Sequence, residues 1–264
     1  MVGANRYSRI VEEIFFKFYR KGLTEVLFER EDIIRAADKL GMKSLKNIGD
    51  LIYSFRYRTS LPKSIEEQAP KGKEWIIRPR GRAKYAFVAA SVTVIVPSPS
   101  LAETKVPDAT PGMIVKYALD DEQGLLAKLR YNRLIDVFTG ITCYSLQNHL
   151  RTTAPHMGQV ETDELYVGLD RKGIHYILPV QAKAGRDKLS IIQIEQDEAM
   201  CRDKFPGLIC KPIAAQFMTD DVIALFEFEW NKDQLAITAE KHYRLVHPDQ
   251  MTVEDLANYR QRLG

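Results

Sequence analysis

Residues 158–185 read GQVETDELYVGLDRKGIHYILPVQAKAG, and this stretch decides the fold of the second half of the chain. Its aliphatic and aromatic content predicts two strands, Val160–Leu169 and Ile174–Ala182. The four residues between them, DRKG at 170–173, end in a glycine, which is typical of a tight hairpin turn. The sequence therefore predicts an antiparallel hairpin, in which the start of the first strand lies beside the end of the second.

The two strand ends that this hairpin brings together are polar. Glu161, Asp163 and Glu164 stand at the start of the first strand, and Gln181 and Lys183 stand at the end of the second. Gln181 and Lys183 are two residues apart, so they share one side of their strand. By the same alternation Asp163 and Glu161 lie on one face, and Glu164 lies on the other. Such a set of side chains could hold a divalent metal ion and activate a water molecule.

The composition is that of an ordinary globular protein, with 45% hydrophobic and 28% charged residues in 264. This length allows one large domain or two modest ones. No apolar run approaches the roughly 20 residues that a membrane span needs, so no membrane association is expected. The three cysteines form no CxxC pair, which favours buried thiols in a reducing cytoplasm.

The charges are unevenly distributed along the chain. Residues 1–96 contain 19 Lys and Arg and 11 Asp and Glu. The whole chain has 38 Lys and Arg and 35 Asp and Glu, so residues 97–264 contain 19 basic and 24 acidic residues. A basic first part and an acidic second part indicate an electrostatic docking module joined to a part that uses carboxylates.

The first 96 residues have a recognisable order of predicted elements. Apolar periodicity and turn residues predict a helix, a short strand, two helices and a hairpin, over Tyr7–Arg20, Glu25–Glu29, Arg30–Leu40, Ser44–Tyr57 and Glu74–Val88. This order resembles a winged helix-turn-helix domain. The resemblance implies that the third helix enters a major groove of double-stranded DNA and that the hairpin lies along the phosphates. The DNA-binding residues it implies are Lys43, Lys46, Asn47, Arg56, Arg78, Arg80, Arg82 and Lys84.

Residues 97–110, rich in Pro, Ser and Thr, are interpreted as a linker to a second domain at 111–264. Around the hairpin, the pattern predicts helices, strands and a C-terminal tail, namely a helix at Asp121–Thr139, a strand at Ile141–Leu150, a helix at Leu189–Lys204, strands at Leu208–Met218 and Val222–Trp230, and a tail from Tyr243 with a short helix capped by Thr252.

The predicted order from residue 121 onward is helix, strand, hairpin, helix and two strands. An acid opens the first strand of the hairpin, and Gln-x-Lys closes the second. This arrangement resembles the core of the PD-(D/E)XK nuclease superfamily. The residues that carry the resemblance are ETDELYV at 161–167 and VQAK at 180–183. A glutamine before x-Lys occurs in the branch that contains the methylation-directed restriction nucleases. The resemblance implies an α/β (α+β) fold with a restriction-endonuclease-like mixed sheet flanked by helices.

The resemblance also implies a metal site and its chemistry. An acid of the 161–164 cluster, the Gln181 side-chain carbonyl and the Ala182 backbone carbonyl would bind Mg²⁺, with Mn²⁺ able to substitute, and Lys183 would contact the phosphate and the attacking water. Asp163 and Glu164 remain equal candidates for the acid: Glu164 directly precedes the apolar strand, and Asp is the commoner ligand in the family. Auxiliary roles fall to Glu161, Gln193 and Glu122.

The function that these resemblances imply is a Mg²⁺-dependent endodeoxyribonuclease, similar to type II restriction enzymes, that leaves a 5′ phosphate and acts as a homodimer on double-stranded DNA. Two alternatives stay open at this point. One is a non-catalytic winged-helix DNA-binding regulator whose second domain is a degenerate nuclease fold. The other is a DNA-repair or structure-specific nuclease with the same chemistry.

Overall fold

The computed structural model describes residues 6–42, 48–57, 59–91, 94–119, 121–155, 157–184, 189–219, 221–231 and 234–263. The described chain is a mixed α/β protein with a large mixed sheet flanked by helices, which confirms the predicted class at that level. It divides into two compact units, 1–95 with 153–159 and 190–192, and 96–152 with 160–189 and 193–264. Among the described helices, not one has the length and apolar character needed to cross a membrane.

The first unit is built from short helices around a small antiparallel sheet. Its elements are α1 (Arg6–Phe18), β1 (Glu25–Glu29), α2 (Arg30–Lys39), α3 (Ile48–Tyr57), α4 (Lys63–Glu66), β2 (Glu74–Pro79), β3 (Lys84–Ala90) and β4 (Val94–Ile95). The sheet has the order β1-β3-β2, and both pairings are antiparallel. The predicted hairpin is thus β2 and β3, with the first strand β1 added at the other edge of β3.

An aromatic cluster forms the core of this unit. Phe15 contacts both Trp75 and Phe87 edge to face, with ring centroids 5.1 and 5.2 Å apart. The apolar face of α1 is fully buried because its residues recur every three or four positions and so point the same way. Leu51, Ile52 and Phe55 bury the corresponding face of α3. These buried faces match the helical periodicity of the sequence.

The remainder of the described chain carries the large sheet. Its elements are β5 (Glu103–Pro107), α5 (Gly112–Tyr117), α6 (Glu122–Tyr131), α7 (Leu134–Thr139), β6 (Thr142–Ala154), β7 (Gly158–Leu169), β8 (His175–Lys183), β9 (Leu189–Ser190), α8 (Ile191–Lys204), β10 (Ile209–Cys210), β11 (Ile213–Phe217), β12 (Val222–Asn231), β13 (Gln234–Val246) and α9 (Val253–Arg260), with 3₁₀ turns at Pro248–Gln250 and Gln261–Leu263.

In the described part of the chain the sheet follows the order β5-β13-β12-β11-β8-β7-β6, and β10 also pairs with β8. The central strand β8 is antiparallel to β7 and parallel to β11. One face of β8 packs through Leu178, Val180 and Ala182 against a core to which α6 and α7 contribute their leucines and isoleucine. Helix α6 therefore lies against the end of the predicted hairpin.

The hairpin prediction is confirmed. Strands β7 and β8 pair in register from Leu169 opposite His175 to Glu164 opposite Val180. The turn is held by Asp170, whose Oδ1 accepts backbone hydrogen bonds from Lys172 and Ile174 at 2.8 and 2.9 Å. Gly173 has φ +80°, a conformation in which a glycine is not strained.

Two predicted boundaries differ from the structure near α6. The helix expected over Asp121–Thr139 is two helices, because Arg133 adopts a left-handed conformation with φ 49° and starts a new helix. The Asn132 side chain supports this break by donating to Lys128 O, the last turn of α6, at 3.0 Å. The proposed linker 97–110 also contains a strand, β5, which pairs in parallel with β13.

The prediction of a C-terminal tail from Tyr243 is wrong. Tyr243 lies in β13, a 13-residue strand that pairs with β12 and β5. The sequence obscured this strand because its centre is polar, with Glu240, Lys241 and Arg244. The short helix beyond it is confirmed: Thr252 Oγ1 accepts a hydrogen bond from Asp255 N at 3.0 Å and so caps α9.

Candidate active site

The regular pairing of β7 and β8 gives way to side-chain contacts at the end of the hairpin. Beyond the pair Glu164–Val180, the Asp163 carboxylate accepts a hydrogen bond from Ala182 N at 2.8 Å. Beside it, on the same two strands, Gln181 Nε2 donates to Glu161 O at 2.9 Å. Side chains thus replace backbone partners here, and the Asp163 carboxylate is fixed against the backbone of β8.

Lys183 connects this strand end to α6. Its Nζ lies 2.6 Å from Glu122 Oε1 and 3.0 Å from Ala182 O. Glu122 reaches this position because it is in the first turn of α6, which Asp121 caps by accepting from Gly124 N at 2.9 Å. We call Asp163, Lys183, Glu122 and the Ala182 carbonyl the Lys183 cluster.

Burial governs the charge of Asp163. The side chain is 8% exposed, and this burial raises the pKa of its carboxyl group. The charge of Lys183 and the Ala182 N–H lower that pKa in turn, the charge of Glu122 raises it, and the charge of His149 lowers it. Because burial dominates, an additional cation beside Asp163 would stabilise its ionised form.

Glu164, the neighbouring acid, has different partners. It is fully buried, and its Oε1 accepts from Arg130 Nε at 3.0 Å and from Ser145 Oγ at 2.6 Å. Arg130 is in the last turn of α6, whereas Glu122 is in the first. Glu164 is therefore bound to the last turn of α6, whereas Asp163 belongs to the Lys183 cluster, in which Lys183 contacts the first turn of that helix.

Gln181 is directed towards α8. Its Nε2 donates to Asp197 Oδ2 at 2.8 Å, and its Oε1 accepts from Gln193 Nε2 at 3.2 Å. The structure thus brings Gln193 against Gln181. Gln193 donates to the same Gln181 side-chain oxygen that the resemblance assigned to the metal. Asp197, which also contacts Thr162 Oγ1 at 2.5 Å, was not singled out from the sequence. Asp197 is four residues after Gln193, so the two side chains share one face of the helix. This spacing was the signal in the sequence that could have identified Asp197.

The remaining acid of the 161–164 group lies apart. Glu161 is exposed, and its Oε1 accepts from Arg151 Nη2 at 2.9 Å. His149, for which the sequence suggested no role, has φ 47°, and its Nε2 lies 2.8 Å from Nε2 of Gln123, the residue after Glu122. Among the described residues, neither side chain is hydrogen-bonded to the Lys183 cluster.

The basic residues proposed for DNA contact belong to the first unit, and they differ in exposure and in their ion-pair partners. Arg80 pairs with Glu25 at 2.6 Å, and Lys84 lies 3.7 Å from Glu29, so two cations near the hairpin tip are compensated by acids of β1. Arg82 is exposed at the tip. Arg56 and Arg78 are half-buried, and Lys43, Lys46 and Asn47 lie outside the described residues.

Comparisons with models of protein families, with curated proteins and with solved structures find no match. The site must therefore be judged on its own chemistry. Within the described ranges, no group of three or more His, Cys, Asp and Glu side chains is placed to hold a metal ion. The Lys183 cluster nevertheless offers two carboxylates and a backbone carbonyl, the hard oxygen ligands that Mg²⁺ prefers. Glu164 Oε1 accepts from Arg130 and Ser145, and Gln181 Oε1 accepts from Gln193. Glu164 Oε2 is buried and has no hydrogen-bond partner among the described residues.

Proposed function

We propose that this protein is a Mg²⁺-dependent DNA endonuclease of the PD-(D/E)XK type. The observation that carries the proposal is the convergence of an acid from β7, a lysine from the end of β8 and an acid from α6. Asp163 accepts from Ala182 N at 2.8 Å, and Lys183 Nζ lies 2.6 Å from Glu122 Oε1. An acid and a lysine at the open end of the hairpin, with a second acid from α6, are the groups that metal-assisted hydrolysis of a phosphodiester requires.

Each residue of the cluster has a role in this proposal. Asp163, Glu122 and the Ala182 carbonyl would hold Mg²⁺, which when bound lowers the pKa of a water and offsets the charge of the scissile phosphate. Lys183 Nζ, 14% exposed as a side chain, donates to a non-bridging phosphate oxygen and orients the attacking water. The water oxygen bonds to phosphorus, the bond to the 3′ oxygen breaks, and a proton passes to that oxygen, leaving a 5′ phosphate.

The first unit supports DNA as the substrate. Its order of elements and its β1-β3-β2 antiparallel sheet are those expected of a winged helix. In this proposal α3 enters the major groove, and the exposed Arg82 at the β2–β3 tip contacts phosphates of the duplex. A homodimer, restriction-like, follows if both strands are cut, because the two strands of a duplex are related by two-fold symmetry.

The test is digestion of methylated and unmethylated plasmid with Mg²⁺ or Mn²⁺. We expect cleavage by the wild-type protein and a loss of about 10²-fold or more in Lys183→Ala, with DNA binding retained in a gel-shift assay without metal. Lys116→Ala, which removes an exposed lysine of α5, is the matched control and should cleave normally. Plasmid that stays intact with every metal and methylation state would overturn the proposal.

A second candidate function is a non-catalytic DNA-binding regulator with a degenerate nuclease fold. The observation in its favour is that Gln181 replaces an acid and its Oε1 accepts from Gln193 at 3.2 Å, which leaves two carboxylates in the Lys183 cluster. This candidate predicts no cleavage of DNA, and DNA binding that is the same with and without Mg²⁺.

If the protein cleaves DNA, the products distinguish two kinds of nuclease. Discrete fragments would indicate a restriction-like enzyme, and nicking confined to branched substrates would indicate a repair nuclease.

A further inference from the structure

Asp197 is a buried acid that the proposed chemistry leaves unused. It lies in α8, its side chain has no exposed surface, and both of its carboxyl oxygens are engaged. Oδ1 lies 2.5 Å from Thr162 Oγ1 on β7, and Oδ2 accepts from Gln181 Nε2 on β8 at 2.8 Å. We call Asp197, Thr162, Gln181 and Gln193 the Asp197 network.

This network is situated where β7 and β8 leave their regular register. The last regular pair is Glu164–Val180; Gln181 is the next residue on β8, and Thr162 lies two residues before Glu164 on β7. Asp197 joins these two residues from α8 and so adds a link between the strand ends to the direct contact of Gln181 Nε2 with Glu161 O. At the same strand ends, the Asp163 carboxylate accepts from Ala182 N at 2.8 Å. The contact that fixes Asp163 thus lies between strand ends that the Asp197 network ties together.

A buried carboxyl group is costly unless hydrogen bonds compensate its lost hydration. Asp197 meets this condition through two side chains from two different strands, and apolar residues on the same helix, Ile194 and Met200, are fully buried. An apolar side chain would fill this space without linking the strands. The network is therefore better explained as a device for geometry than as a contribution to packing.

We propose that Asp197 is a positioning residue, which ties the ends of β7 and β8 to each other through Thr162 and Gln181 so that Asp163 is fixed on the Ala182 backbone. The kinetic part of this inference rests on the proposed nuclease function. The structural part does not, since it concerns the protection of the Ala182 amide in the free protein.

The variants that test the inference separate hydrogen bonding from packing. Asp197→Ala removes both contacts. Asp197→Asn keeps them, because its oxygen accepts from Gln181 and its amide N–H donates to the Thr162 hydroxyl oxygen. Met200→Ala is the matched control, since it truncates another fully buried side chain of α8 without touching the network. Should Asp197→Ala not fold, Thr162→Val serves instead, since it removes the hydroxyl and keeps the shape.

In plasmid cleavage we expect Asp197→Ala to lower kcat about 10–100-fold with KM for DNA unchanged, as is usual for residues that orient a metal ligand. Asp197→Asn and Met200→Ala should keep the wild-type kcat. Wild-type kcat in Asp197→Ala would overturn the inference, as would an equal loss in Asp197→Asn or in Met200→Ala.

Hydrogen exchange of the Ala182 amide, followed by NMR, gives a readout that needs no activity. We expect protection in the wild-type protein, in Asp197→Asn and in Met200→Ala, and loss of protection in Asp197→Ala. Equal protection in all four proteins would overturn the inference. If the wild-type protein cleaves no DNA, the nuclease proposal fails on that result alone, and the exchange data still decide the role of Asp197.

Discussion

Lys183 and Glu122 are 61 residues apart in sequence, and Lys183 Nζ lies 2.6 Å from Glu122 Oε1. This contact joins the end of β8 to the first turn of α6 and places a cation between Glu122 and the Ala182 carbonyl oxygen. Since Asp163 accepts from the Ala182 N–H and Lys183 Nζ contacts the Ala182 oxygen, both backbone polar groups of Ala182 are engaged by the Lys183 cluster.

Replacing Glu122 by glutamine should weaken metal binding. The variant keeps the size of the side chain and removes one of the two carboxylates of the Lys183 cluster, so we expect a loss of about 10–100-fold in Mn²⁺ affinity by calorimetric titration. The matched control is Glu161→Gln, which removes a carboxylate that is bound to Arg151 outside the cluster and should leave the affinity unchanged. Mn²⁺ affinity that is unchanged or stronger in Glu122→Gln would contradict this role.

Asp163 and Glu164 should respond differently to loss of charge. Asp163→Asn should abolish cleavage, because Asp163 belongs to the Lys183 cluster. Glu164→Gln should retain metal-dependent cleavage and lower the free energy of unfolding by about 1–3 kcal/mol, because the charged hydrogen bond to Arg130 is weakened. Plasmid digestion and urea denaturation of both variants measure this difference. The reverse pattern, with Glu164→Gln inactive and fully stable, would identify Glu164 as the ligand.

The stability of the protein should fall with rising pH because of Asp197. Burial raises the pKa of this carboxyl group to about 8, from a usual value of 3.8. The folded state therefore binds more protons than the unfolded state between these values, so the stabilisation present below pH 3.8 is lost as the pH rises through about 8. Asparagine does not titrate. We expect urea denaturation to show that the wild-type protein loses more stability than Asp197→Asn between pH 5 and pH 9, and equal losses would contradict the prediction.

The groups around Asp197 act on this titration in both directions. The charge of Asp163 raises the pKa of Asp197, whereas the charge of Lys183 and the hydrogen bonds from Thr162 and Gln181 lower it. The pKa of the Cys201 thiol, on the same helix, is raised by its hydrogen bond with Cys210 and by burial, and further by the charges of Cys210 and Asp197. The comparison with Asp197→Asn isolates the contribution of Asp197 from those of its neighbours.

The cap of α9 should contribute measurably to stability. Thr252 Oγ1 accepts from Asp255 N at 3.0 Å, and Asp255 also binds Lys105 Nζ of the edge strand β5 at 3.0 Å. Thr252→Ala should lower the free energy of unfolding by about 1 kcal/mol in urea denaturation. Thr252→Ser keeps the hydroxyl and should keep the wild-type stability; a loss as large as that of Thr252→Ala would point to a role of the methyl group instead.

DNA affinity should depend on Arg82. This exposed cation at the β2–β3 tip should contact one phosphate, so Arg82→Ala should weaken binding to all sequences alike and reduce the salt dependence of log Kd by about one charge. Arg35→Ala, which removes an exposed cation of α2 that pairs with Glu31, serves as the control. An identical salt slope in wild-type protein and Arg82→Ala would remove Arg82 from the interface.

The sequence alone was enough for the local features of this chain. Apolar periodicity identified α1, α2 and α8 to within a few residues, and the DRKG turn identified the β7–β8 hairpin. Local patterns succeed here because a helix face or a strand pair buries residues at a fixed spacing. The pattern failed for β13, whose polar centre hides a strand, and for the break at Arg133, which depends on a left-handed residue.

At the candidate site, the sequence identified the two polar strand ends of the hairpin and the acids among them. It did not decide between Asp163 and Glu164 as the candidate metal ligand. Only the tertiary structure separated them, since α6 brings Glu122 towards Lys183 at one end and Arg130 to Glu164 at the other. It also added Asp197, which lies on α8, 16 residues after Gln181, and which only the packing of α8 brings against β7 and β8. The physical reason is that a side chain's partners and burial are set by elements distant along the chain, which no local spacing records.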